Sequence, residues 1–218
     1  MKINSSPISI EPMQTKHNAQ VSCLLVHGFR GKFQHLTNMR EADLVLFFEK
    51  LLEQYPSEPA SQRIVAVQDG EVIGTMSIKW KADFNLKLDK STLPSWKRFK
   101  HFSTWNLFIL FIGLILLSHQ PQAGECYIAD VTVHPDHRSK GVGKLMLDWA
   151  KQYVLDTPNL HLLCLHVAGN NSRAKQLYEQ LSFATLLQEN CRIRHLFFNE
   201  RKWLFMVQNL KDKRILFI

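Results

Sequence analysis

Cysteine is scarce in this chain. Its four, Cys23, Cys126, Cys164 and Cys191, lie far apart and none sits in a C-x-x-C spacing. That excludes a disulfide framework or a cysteine-based zinc site, and the thiols read as reduced cysteines of a cytoplasmic protein. His134-x-x-His137 and His161-x4-His166 give no metal-ligand geometry on any expected element, so no metal is expected. Met1 to Gln14 lacks a long apolar core and does not read as a signal peptide. The main apolar run, Leu107 to Leu117, falls well short of the about 20 residues that a membrane-spanning helix needs. Repeats and low-complexity tracts are absent. The basic-aromatic motifs of nucleic-acid modules are absent too, so nucleic acid is not expected, although 27 Lys and Arg against 19 Asp and Glu leave a net charge of +8.

What the chain does have is a glycine-punctuated loop between a strand and a helix. Tyr127-Ile128-Ala129-Asp130-Val131-Thr132-Val133 reads as a strand and His134-Pro135-Asp136 as a turn. Arg138-Ser139-Lys140-Gly141-Val142-Gly143 then opens into the helical run Lys144 to Val154. Glycine lets the chain turn tightly and lets a ligand approach the backbone. Unpaired amides and the helix dipole at such an N-terminus favour phosphate. Arg138, Lys140 and Lys144 add positive charge, so a pyrophosphate is the expected ligand. A Walker loop does not fit, because Arg138 stands at its first glycine and Leu145 follows the lysine. A dinucleotide fingerprint fails as well, with Met146 at the third glycine.

The remaining pattern, Arg-x-x-Gly-x-Gly between strand and helix, resembles the acetyl-CoA loop of GNAT-type N-acetyltransferases. Downstream, Leu160 to Val167 reads as a buried strand, and Asn171-Ser172-Arg173-Ala174-Lys175-Gln176-Leu177-Tyr178-Glu179 matches that family's Asn-x-x-Ala-x-x-Leu-Tyr-Glu helix. Ser182-Phe183 replaces the usual Gly-Phe, and Ser139 sits where many members carry glycine. The resemblance covers roughly residues 125 to 190. It implies an α/β (α+β mixed) fold with a central mixed, mostly antiparallel sheet flanked by helices. It implies acetyl-CoA as co-substrate, and transfer of the acetyl group to an amine of a small molecule, peptide or protein by direct attack on the thioester.

The same resemblance implies roles for single residues. The backbone of Val131, Thr132 and Val133 would run along the pantetheine arm, with the Val133 N–H on the thioester oxygen. The Val131 and Val133 side chains then read as ordinary core. Arg138, Ser139, Lys140, Gly141, Val142, Gly143 and Lys144 would hold the pyrophosphate. Asn171 would bond the cofactor arm or cap its helix, and Tyr178 would be the general acid, unless it only packs with its hydroxyl on a backbone carbonyl. Glu125 and Asp130 are candidate bases, each equally ordinary as a solvated or salt-bridged carboxylate, and His134 is a third. Two further accounts stay open: an acetyl-CoA sensor without turnover, and an acetyltransferase working at a membrane surface.

The rest of the chain reads as elements around that motif. Ile8 to Ile10 suggests a first strand, and Thr15 to Phe29 and Asn38 to Tyr55 suggest helices. In the second, Ala42, Val45, Leu46, Phe48, Leu51 and Leu52 fall at helical spacing, and Pro56 to Pro59 breaks it. Arg63 to Val67, Asp69-Gly70 and Val72 to Trp80 read as a hairpin, and Trp203 to Val207 as the last strand. A single domain over 1–218 is expected, with an inserted segment at about 82–122. Its first part is basic and amphipathic, with Lys87, Lys90, Lys97, Arg98 and Lys100 near Trp96, Phe99 and Phe102. The segment suits packing on the domain, cover for an acceptor groove, a homodimer, or peripheral membrane contact through 96–118.

Overall fold

The computed structural model describes residues 6–33, 37–54, 60–81 and 99–211. One sheet of seven strands organises them, in the order β1-β2-β3-β4-β5-β7-β6. The strands are β1 (Ser9–Pro12), β2 (Ser61–Gln68), β3 (Glu71–Trp80), β4 (Glu125–Val133), β5 (Leu162–Ala168), β6 (Ala184–Asn190) and β7 (Lys202–Asn209). Every neighbouring pair is antiparallel except β4 and β5. The helices are α1 (Asn18–Phe33), α2 (Glu41–Gln54), α3 (Thr104–Leu117), α4 (Val142–Asp156), α5 (Ser172–Gln180) and α6 (Arg192–Phe198). The expected mixed, mostly antiparallel sheet flanked by helices is therefore present. The β2–β3 hairpin turns at Asp69 and Gly70, whose φ of 53° and 81° are the left-handed pair that a two-residue turn between twisted strands demands.

Strand alternation divides the apolar residues between two faces. Ile64 and Ala66 of β2, Met76 and Ile78 of β3, and Cys126 and Ile128 of β4 point to the face covered by α4 and α5, meeting Met146, Leu147 and Ala150. Val65 of β2 points the other way, into a cluster built by α1, α2 and α3 with Phe47 and Phe99 fully buried. The ring of Phe47 lies 5.4–6.2 Å from those of Phe48, Phe99, Phe102 and Phe111. Aromatic contacts of this kind add about 0.5–1.5 kcal/mol per pair beyond the buried area.

Two features differ from the sequence reading. In α2 the core face is Leu44, Phe47 and Phe48, while Ala42 and Leu46 are exposed. Val45, Phe48, Leu51 and Leu52 do pack on the core as expected, and packing against α1 and α3 selects Phe47 rather than Leu46 for the inside. The short helix α6 was not legible at all. The apolar run does form a helix, and α3 buries Leu107 and Leu110 against the α2 cluster. The basic part of the inserted segment, with Lys87, Lys90, Trp96, Lys97 and Arg98, lies outside the described residues, as do Tyr55 and the Pro56 to Pro59 break.

Candidate active site

The loop after β4 has the conformation its residues suggest. Pro135–His137 makes one 3-10 turn, Ser139 takes φ 63°, and Gly141 takes φ 84° as the N-cap of α4. Ser139 thus occupies a left-handed position that glycine fills without strain, which is why glycine is usual there. A Cβ at Gly141 would meet nothing within 4 Å, so the loop faces open space at the helix start. The first intrahelical bond is Leu145 N–H to the Gly141 carbonyl, which leaves the amides of Val142, Gly143 and Lys144 without an intrahelical acceptor. Arg173 of α5 donates to Ser139 Oγ at 2.6 Å and ties the loop to the neighbouring helix. Asn171 caps α5 by accepting from the Ala174 N–H at 3.2 Å.

Beside this loop the sheet opens. β4 and β5 pair only from Glu125↔Leu162 to Ile128↔Leu165, and beyond that β4 has no partner on its β5 side while β3 still covers its other edge. His134 N–H reaches back to the Ile73 carbonyl of β3 at 2.8 Å. Because main-chain donors alternate sides along a strand, the N–H groups of Val133 and Val131 face the opening instead. A small cavity of about 140 Å³ fills it, lined by Ile128 to Thr132 of β4, Leu165 to Ala168 of β5, and Asn171, Ala174 and Tyr178 of α5. The Tyr178 hydroxyl makes no hydrogen bond among the described residues. Burial pushes its phenol up to about 12, so it keeps its proton throughout the neutral range.

A β-bulge decides what faces the opposite side. Between Ile128↔Ile78 and Asp130↔Ser77, Ala129 is an extra residue on β4. The alternation flips there, so Tyr127, Ala129 and Asp130 all line one larger cavity of about 610 Å³. Its walls are the inner faces of α1, α2 and α3, with Phe29, Phe48, Leu51, Leu52, Phe111 and Leu114, and its floor is polar. The two cavities share Phe29, Ala129, Asp130 and His166, and so meet at the mouth of the β4–β5 opening. Gly28 of α1 lets that helix lie against β4, since a Cβ there would overlap the Thr132 side chain.

Electrostatics at the junction are specific. Arg63 clamps Asp130 with two bonds of 2.7 Å, and both side chains are largely buried. Tyr127 Oη lies 3.2 Å from His166 Nδ1, and His166 Nε2 lies 3.6 Å from Glu189, which also takes a bond from Arg194 at 2.8 Å. Burial pulls the His166 imidazole down to about 4, so it is neutral at pH 7. Glu125 stands at the far end of β4, lining neither cavity. It is bonded to His119 at 3.3 Å and to the Gln122 N–H at 2.8 Å. Burial pushes its carboxyl up, but those partners together outweigh burial and hold it below the usual range. His119 stacks on Tyr127 at 4.5 Å and lies 5.3 Å from His166, so Glu125 reaches the junction only through that cluster. His134 is occupied in its own turn, 3.3 Å from the Asp136 N–H, and lines neither cavity.

The structure thus brings Asp130, Val131, Thr132, Asn171 and Tyr178 around one opening, beside the loop of Arg138 to Lys144. Sequence reasoning gave no site role to Gly28, Arg63, His166 or Arg194; three of them lie outside the motif region, and His166, weighed only as a metal ligand, lies in β5 just before Asn171. No group of His, Cys, Asp and Glu among the described residues is arranged to hold a metal ion.

Comparison with known proteins agrees with this geometry. The profile of the Acetyltransferase (GNAT) family matches residues 32–183, and the chain belongs to that family. Spermidine N(1)-acetyltransferase of Vibrio cholerae serotype O1 is 32% identical over 90 residues, which are 41% of this chain and 50% of that protein. The chain therefore spans about half the length of the curated relative it matches. Among solved structures, a GNAT-family protein of Desulfovibrio desulfuricans superposes with a TM-score of 0.59 at 10% identity, covering 94% of this chain and 100% of the other. A Salmonella typhimurium protein determined with its cofactor acetyl-CoA gives 0.56 at 14% identity, covering 96% and 97%. At such identities these two establish the fold alone.

Proposed function

We propose that this protein is an acetyl-CoA-dependent N-acetyltransferase that moves an acetyl group to an amine by direct attack on the thioester. The observation that carries the reading is the meeting of two cavities at the break in β4–β5 pairing. One lies under Tyr178, where α5 in its wall also holds the loop before α4 through Arg173 and Ser139, and the other opens between α1, α2 and α3. The fit to acetyl-CoA rests on that open, cationic loop: the amides of Val142, Gly143 and Lys144, with Arg138, Lys140, Ser139 and Gly141 around them, suit a pyrophosphate. The edge of β4 at Val131 to Val133, open except for the Val133 carbonyl that Arg138 Nε reaches at 3.1 Å, suits an extended arm bearing its own amides, and Asn171 stands beside it.

The acceptor nitrogen must be neutral to attack, so it loses a proton while the departing sulphur gains one. The Val133 N–H, aimed into the opening, stabilises the oxyanion that forms at the carbonyl. Tyr178, always protonated at neutral pH, donates to the leaving sulphur. Asp130 is held at the junction by Arg63, which bonds both of its oxygens and makes it a fixed, paired wall of the acceptor space. The amine's proton leaves to solvent at the junction, past the neutral His166 and Tyr127. The test is thiol release from acetyl-CoA across amines that include spermidine, the substrate named for the Vibrio relative, with a no-amine control. Release with any amine supports transfer. Silence across the panel with acetyl-CoA still bound would make the protein a sensor.

The outer face of α3 favours a second reading, that the enzyme works at a membrane surface. No helix among the described residues is long and apolar enough to cross a membrane. Yet Trp105, Phe108 and Ile115 are 66%, 54% and 67% exposed along one stripe of a helix without charged residues. The sequence preceding it supplies Lys87, Lys90, Lys97 and Arg98. Apolar and aromatic exposure flanked by cations suits the headgroup region of an anionic bilayer. Co-sedimentation of the full chain with phosphatidylserine vesicles, lost in Trp105→Ser/Phe108→Ser, is the expected result. Failure to pellet at low salt would overturn the membrane reading.

A further inference from the structure

The larger cavity carries more chemical information than its role as an amine site requires. Among the described residues its lining holds three cationic side chains, Arg63, Lys79 and Arg194, and a single carboxylate, Asp130. Both oxygens of that carboxylate are already taken by Arg63. A polyamine carries several positive charges and needs several carboxylates facing it. Here it would enter a partly enclosed site whose one lining carboxylate is already paired, Arg63 and Arg194 being balanced in turn by Asp130 and Glu189. The walls, by contrast, are aliphatic and aromatic, from Phe48, Leu51, Leu52, Phe111, Leu114 and Leu117.

Arg194 stands out within that lining. Its Nε donates to the Leu116 carbonyl at 3.1 Å and its Nη1 to Glu189 at 2.8 Å, which fixes the plane of the guanidinium. It also lies over the Trp203 ring, 5.5 Å from the centroid. Nη2 has no partner among the described residues. Glu189, which holds Arg194, also faces His166 at 3.6 Å, and His166 lines the junction where the reacting amine must sit. An oriented guanidinium with spare N–H groups, near the reacting position and framed by apolar walls, is a carboxylate-binding arrangement.

We infer, on the basis of the transferase reading above, that the acceptor is an amine with an apolar body and an anionic group. Apolar amino acids are the simplest members of this class, and Arg194 is the specificity residue that binds the anion. The α3 helix of the inserted segment supplies part of the apolar wall through Phe111, Leu114 and Leu117. It also supplies the Leu116 carbonyl that orients Arg194. The insertion and the acceptor preference are thereby one device.

The test compares acceptor pairs with the full-length protein by thiol release: leucine, phenylalanine and 6-aminohexanoate against their carboxamides, with spermidine alongside. The carboxylates are expected to show kcat/KM at least about tenfold above the amides and above spermidine. Arg194→Gln should collapse that ratio toward one, chiefly through KM, and Arg194→Lys should restore part of it. Arg192→Gln removes the same charge from an exposed neighbouring position on α6 and should leave the ratio unchanged. Thermal stabilisation by acetyl-CoA reports that each variant is folded. Preference for spermidine or for the amides would overturn the inference and leave the transferase reading standing. So would an Arg194→Gln effect equal on both members of each pair. Thiol release with none of the amines would overturn both.

Discussion

The two sides of the β4–β5 opening present different chemistry. The side under α4 and α5 presents backbone: a left-handed Gly141, free amides at a helix start, and an unpaired strand edge. The side under α1, α2 and α3 presents side chains: an Arg63–Asp130 clamp, a Tyr127–His166–Glu189–Arg194 chain, and an apolar wall drawn from three helices. Backbone recognition ties the ligand to local conformation, which needs particular residues at fixed spacing. Side-chain recognition ties it to tertiary placement, and the residues can come from anywhere in the chain. The first is robust to most substitutions that keep the conformation; the second changes with single residues.

The largest expected effect falls on the side-chain half. Arg63→Ala would leave Asp130 largely buried and unpaired, at a cost of about 3–5 kcal/mol in urea unfolding. Arg63→Met with Asp130→Leu should recover most of that stability, because two apolar groups leave no orphaned charge. If the double variant is no more stable than the single, the pair is not the source. At the junction, Tyr178→Phe should lower turnover by about 10²-fold with acetyl-CoA affinity nearly intact, as steady-state kinetics beside calorimetry would show. Unaffected turnover would mean that the sulphur takes its proton from water.

On the backbone half, Gly141→Val should weaken acetyl-CoA binding by roughly tenfold or more, since its side chain enters space the phosphates need. Gly70→Val is the matched control: φ is 81° there against 84° at Gly141, and neither Cβ meets a neighbour within 4 Å. Both variants carry a similar backbone strain of about 1–2 kcal/mol, but Gly70 is in the β2–β3 turn. Equal loss of affinity in the two would mean that strain, not ligand contact, is responsible. A smaller effect concerns pH. With its imidazole pulled from 6.5 to about 4 by burial, His166 stays neutral in the native state while the unfolded chain takes up a proton. Its contribution is complete above pH 6.5 and is lost as pH falls toward 4. His166→Gln should flatten the stability profile in that window alone. Smallest of all, Val131→Ile should leave acetyl-CoA affinity within about threefold, because only the main chain of that residue faces the ligand.

The legibility of the chain follows the same division. Gly141, Gly143, Asn171 and Tyr178 stand in a contiguous pattern, and the Asp69-Gly70 turn and the strand and helix order could be read beside it. In α2 Val45, Phe48, Leu51 and Leu52 were legible, whereas the choice of Phe47 over the adjacent Leu46 for the core centre was made by packing against α1 and α3. The aim of Asp130 could not be read, since strict alternation continued from Tyr127 and Ala129 would have sent it to the α4 face. The Ala129 bulge exists only in the register between β3 and β4. Arg63 and Asp130 are 67 residues apart, and Arg194 is 78 from the Leu116 carbonyl that orients it. No local pattern links such pairs.

By itself, then, the sequence determined the sheet-and-helix order and the loop at the start of α4, because glycine conformation and helix-terminal amides are local properties of the chain. The tertiary structure alone decided where the strands part, which carboxylate faces the opening, and which cations and apolar side chains line the larger cavity. Those depend on register, on packing choices among equally apolar faces, and on ion pairs closed across long stretches of chain.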